Sequence, residues 1–123
     1  MARGLETFLT AMAVGFAGCG PANADPLLKD FAICAGRFSA LVEHHWMVDG
    51  PASDASAGTR DSLLALVEAV QDPGMEATAM GWRIEAKVAQ KALLTRAHFA
   101  GDSVAEKRAA ELLQTCAALI GQS

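Results

Sequence analysis

The segment EHHWM, Glu43 to Met47, holds the densest group of potential ligands and proton carriers in the chain. Imidazole and thioether groups bind copper, imidazole also serves zinc and haem, and histidine changes charge near neutral pH. Neighbouring residues on a helix point about 100° apart, so His44 and His45 cannot grip one ion together. Helical spacing allows His44 with Met47, or His45 with Asp49. Each pair supplies only two ligands, so a third must come from His98, Met75 or Met80. If the first and third helices run parallel, their C-terminal ends meet and His98 joins the group. A copper or zinc site built from His44, His45, Met47 and His98 is one expectation for this cluster. The other is structural. There is no H-x-x-x-H spacing, histidines in a last helical turn interact favourably with the helix dipole, and Trp46 reads as core. The C-x-x-C-H motif is missing, which excludes covalent haem attachment.

A second candidate is the row Arg83, Lys87 and Lys91, spaced by four, with Arg96 off the line. Such a row can recognise a carboxylate, a phosphate or an acidic partner, and it is equally the pattern of a solvated helix face. The net charge is −4 and is unchanged if the first 24 residues are removed, since Arg3 and Glu6 cancel. Mild acidity argues against nucleic acid or an anionic membrane surface as the main partner. No Ser/His/Asp arrangement, phosphate loop or paired-carboxylate motif stands out. The chain is therefore expected to bind rather than to catalyse, with no obligatory cofactor.

Three cysteines divide between two tasks. Residues 1–24 read as a signal peptide: Arg3 near the start, an uncharged run from Phe8 to Gly20, then Ala22-Asn23-Ala24 before the cut. That run is shorter than the roughly 20 residues of a membrane span. The rival processing uses Phe16-Ala17-Gly18-Cys19, similar to a bacterial lipobox, and would leave a chain acylated at Cys19. Phe16 is an uncommon first residue for that motif, so the free periplasmic or secreted form is expected and the anchored form is the alternative. Export places Cys34 and Cys116 in an oxidising compartment. They fall near the start of the first mature helix and the end of the last, which are neighbours in an alternating bundle. A structural disulfide is expected, closing a loop of roughly 80 residues.

The elements that must position these groups follow from apolar periodicity. Residues 25–123 form one small domain, rich in Ala and Leu and without Tyr, a composition that favours helix. Asp25-Pro26 opens a first helix with a broad apolar face through Phe31, Cys34, Phe38 and Leu41, ending near Val48. DGPASDASAG reads as a loop, and a second helix starts around Thr59 with Leu63, Leu66, Val67 and Val70 inward. Asp72-Pro73 starts a third helix, with Trp82, Ala86, Ala89, Leu93 and Ala97 on its face. SVAE, from Ser103, reads as a capping box opening the last helix, which Gly121 ends. Gly36 and Gly81, inside helices, read as close helix crossings rather than ligand slots. The whole is an all-α, four-helix, up-down-up-down antiparallel bundle.

CAGRFSALVEHHW, followed by WRIEAKVAQKALL and a late Cys, resembles small exported bacterial helical proteins to which no activity attaches. The resemblance supports pairing of Cys34 with Cys116 and implies no ligand. The sequence thus predicts an exported accessory or interaction module of the cell envelope, binding an unidentified envelope protein.

Overall fold

The computed structural model describes residues 24–122; residues 1–23 of the expected leader, with Cys19 and Ala22, lie outside them. The described chain forms four helices and no strand: α1 (Ala24–Val48), α2 (Ser53–Val70), α3 (Glu76–Phe99) and α4 (Ser103–Leu119). A short 3-10 turn, Gly50–Ala52, leads into α2.

Helix α1 is the hub because apolar residues occupy several of its faces. Leu28 and Ala32 pack with Ala79 of α3, against Val67 and Val70 of α2. One turn on, Phe31, Cys34, Ala35 and Phe38 bury Leu63 of α2 and Cys116 of α4. Further along, Ala40 meets Leu94 of α3 and Ala109 of α4. The start of α1 therefore lies beside the start of α3 and the end of α2. Cys34 and Cys116 are bonded, with Cα atoms 5.4 Å apart, as their helix positions predict.

One residue sets how closely α1 and α3 approach. A Cβ built on Gly36 would collide with the carbonyl oxygen of Arg83 and sit 3.1 Å from the Cβ of Ala86. Only glycine fits there. Gly81 is different: it is exposed and nothing lies within 4 Å of where its Cβ would be, so it marks no crossing.

Helix boundaries depart from the sequence reading in three places, each for a local reason. Helix α2 begins at Ser53 rather than near Thr59. Ser53, Ser56 and Thr59 are buried, and their hydroxyls donate to Gly50, Ser53 and Ala55 carbonyls at 2.6, 3.1 and 3.4 Å. Small hydroxyl residues satisfied by the preceding turn can line a close helix contact, although their composition reads as loop. Helix α3 starts at Glu76, because Gly74 adopts a left-handed φ of 92° and turns the chain after Pro73. At α4 the cap is Asp102, not Ser103: its Oδ1 accepts from the Val104 and Ala105 amides at 3.1 and 3.0 Å. A carboxylate at a helix N-terminus gains from the dipole as well as the hydrogen bonds.

The inward row of α3 also shifts. Ala79, Gln90 and Leu94 are buried, whereas Ala89 is exposed. Trp46, expected in the core, is 63 % exposed.

Candidate functional site

The last turns of α1 and α3 bring together two of the four candidate ligands. His44 and His98 meet edge to face with ring centroids 5.4 Å apart, and His98 in turn packs on Phe99 at 4.7 Å. His44 and His45 diverge, their centroids 6.4 Å apart. His45 turns instead to α2, where its Nδ1 lies 3.0 Å from Ser56 Oγ. Met47 is exposed, and Met75 packs at the opposite end of α1 beside Leu28. Met80 is on the outer face of α3.

A cavity of about 360 Å³ opens next to the pair, lined by His44, Leu94, Ala97, His98, Glu106 and Leu113, among others. The sequence places Glu106 in a capping box; with Asp102 as the cap, its side chain is free to line this space. The only hint in the sequence was its position early in α4, opposite the end of α3. Among the described residues, no three His, Cys, Asp or Glu side chains converge as a metal set.

His44 is held below the ordinary imidazole pKa, first by burial and then by the neighbouring His98 and His45. Its Nδ1 is buried without a hydrogen-bond partner among the described residues. The neutral imidazole is the form that binds metals or accepts protons. A lowered folded-state pKa means that the unfolded chain takes up the proton first. Stability from this group is complete above about pH 6.5 and declines as pH falls towards the folded-state pKa. The urea midpoint is accordingly expected to drop between about pH 7.5 and about 5.5, and His44→Gln should flatten that slope. An unchanged slope in the variant would assign the effect to other groups.

Two of the three residues of the basic row are engaged within the chain. Lys87 Nζ lies 2.6 Å and Lys91 Nζ 3.7 Å from the carboxylate of Glu43 on α1. The hydrogen bond from Lys87, reinforced by the charges of both lysines, holds the Glu43 carboxyl below its ordinary pKa against the opposing effect of burial. Arg83 makes no ion pair among the described residues.

No family model, curated protein or solved structure matches this chain. The function must be read from the geometry. Two arrangements can act: a pair of histidines beside a cavity, and a helix whose basic edge borders an uncovered face.

Proposed function

We propose that this protein is an exported helical module of the bacterial cell envelope that works by binding another envelope protein. The observation that supports it most is the outer face of α3. Met80, Ile84 and Val88 recur at every fourth residue and are 49, 54 and 63 % exposed, and Phe99 extends the face at 62 %. Gly81, Ala92 and Thr95 lie between them and Ala77 one turn before, all exposed. A helix that already buries one face against α1 normally presents charge on the other. A continuous apolar row in solvent is the pattern of a surface awaiting a partner.

Arg83, Lys87 and Lys91 run along one edge of this row. Two copies docked antiparallel on it would set these basic edges against each other, so a partner with an apolar surface and an acidic edge fits better. The contacts between helix starts and ends support the up-down-up-down antiparallel bundle, a scaffold that leaves such outer faces free. The disulfide is compatible with a periplasmic or extracellular location, and no described helix is long and apolar enough to cross a membrane.

A photo-crosslinking residue at position 84, introduced in the native host, tests the reading. One discrete heteromeric adduct is expected, weakened by Arg83→Glu and absent when the probe sits at Lys107. An adduct of twice the chain's mass, or none, overturns it. The intact mass of the same protein should begin at Asp25 and be lighter than the reduced chain by the two hydrogens of one disulfide. An acylated chain beginning at Cys19 would instead make it a lipoprotein.

The approach of His44 to His98 favours copper or zinc binding as the second reading. Calorimetry with either ion should then show micromolar binding that His98→Ala removes and His45→Ala spares, given the place of His45 against Ser56. Equal binding in all three chains removes this site.

A further inference from the structure

On the opposite side of α1 from Leu63, the packing of α3 and α4 leaves a second cavity of about 360 Å³, a size at the lower end of ligand pockets. Its lining includes Lys29, Ile33, Arg37, Trp82, Gln90 and Leu112. Three features of that lining are unfinished in the same sense.

Gln90 is the first. It is 1 % exposed on a helix face where the apolar pattern calls for a residue such as Leu. Its Nε2 donates to the carbonyl of Ala109 at 3.2 Å, which fixes the amide orientation, and its Oε1 is buried without a donor among the described residues. Buried polar atoms are nearly always satisfied, so an unmatched amide oxygen lining a cavity wants a donor from outside the chain.

Arg37 is the second. Its Nη1 donates to Cys116 Sγ at 3.5 Å, and no carboxylate lies within ion-pair distance of it among the described residues. Burial and the nearby charge of Arg108 destabilise its cation, and Asp30 offsets this only in part. A guanidinium so placed is under-neutralised, and its fork matches a carboxylate. Lys29 is the third, its Nζ 5.7 Å from the centre of the Trp82 ring. It adds a second cation beside a flat apolar wall. Glu85 is the one carboxylate in the lining.

The geometry points to a binding site for a small organic carboxylate with a flat apolar body and a hydrogen-bond donor. The carboxylate would lie on Arg37 and Lys29, the body against Trp82, Ile33 and Leu112, and the donor on Gln90 Oε1. Apolar walls set this apart from a site for inorganic phosphate. The site is independent of the outer face of α3 and of the histidine pair, so it stands or falls separately from both.

Calorimetry with 4-hydroxyphenylacetate tests it, since that molecule carries a carboxylate, a ring and a hydroxyl donor. Saturable one-site binding is expected with Kd below about 1 mM. The uncharged analogue 4-hydroxyphenylacetamide should bind about tenfold more weakly or worse, and phenylacetate, which lacks the donor, should also lose affinity. Arg37→Gln should weaken the acid and leave the amide unchanged. Gln90→Leu should make 4-hydroxyphenylacetate and phenylacetate bind alike. The analogue series needs only the parent protein, so it decides the matter even if a variant misfolds. Absence of saturable heat, or equal binding of the three compounds, overturns the assignment.

Discussion

Gly36→Ala is expected to destabilise the fold by about 2–4 kcal/mol, since among the described glycines only Gly36 has neighbours where the added methyl would go. Two opposing effects decide the sign. Alanine improves helix propensity by about 1 kcal/mol over glycine. The added Cβ, however, would land on the carbonyl oxygen of Arg83 and within 3.0 Å of its carbonyl carbon. The obstacle is backbone, which cannot swing aside as a flexible side chain would. Relief requires α1 and α3 to separate, and that loosens Leu28 on Ala79 and Ala40 on Leu94 together. Steric repulsion therefore wins. Gly81→Ala is the matching control: with open space around it, only the propensity gain of up to about 1 kcal/mol remains. Urea unfolding of the two variants should move in opposite directions from the parent. A neutral Gly36→Ala would mean that the two helices do not approach as described.

Opening the Cys34–Cys116 bond should lower stability by about 4.5 kcal/mol in the loop-entropy picture, given its sequence separation of 82. That is a large share of the roughly 5–15 kcal/mol available to a domain of this size. The measurement separates cross-link from packing if done twice. Reduction of the parent chain retains both sulfur atoms in a site where Cys34 is 4 % and Cys116 0 % exposed. The double variant Cys34→Ala with Cys116→Ala also empties volume beside Phe31, Phe38 and Leu63 and removes the acceptor used by Arg37. The double variant is expected to unfold at lower urea than the reduced parent, and both below the oxidised chain. If reduction leaves the urea midpoint where it was, the bond adds no stability and the entropic account fails.

The parts of this fold legible in the sequence were those set by periodic apolar residues. The helices, and the pairing of Cys34 with Cys116, follow from spacing because burial is what spacing encodes. Boundaries were less legible where small polar residues serve as packing. Ser53, Ser56 and Thr59 look like loop composition, yet each hydroxyl donates to a carbonyl three or four residues earlier and its small size lets α2 close on α1. Trp46 departs in the other direction: an aromatic residue late in an amphipathic helix reads as core, yet its side chain is exposed. For the histidines, helical spacing directs His44 and His45 apart, and the structure brings His98 to His44, a contact the sequence offers only if α1 and α3 run parallel. The cavity around Gln90 and Arg37 was not legible. Its meaning lies in groups left unmatched after folding, and a sequence shows which groups exist but not which remain without partners.

The disulfide also decides what survives a cut. Cys34 and Cys116 bracket every connection between the four helices: the turn before Ser53, the turn at Gly74, and the junction at Gly101. A protease that nicks any one of them releases no fragment, because both pieces remain tied through sulfur. The clipped protein would run as one species until reduced and only then fall into two. In a compartment rich in proteases, a single bond thus turns backbone cleavage from loss of the molecule into a scar it can carry.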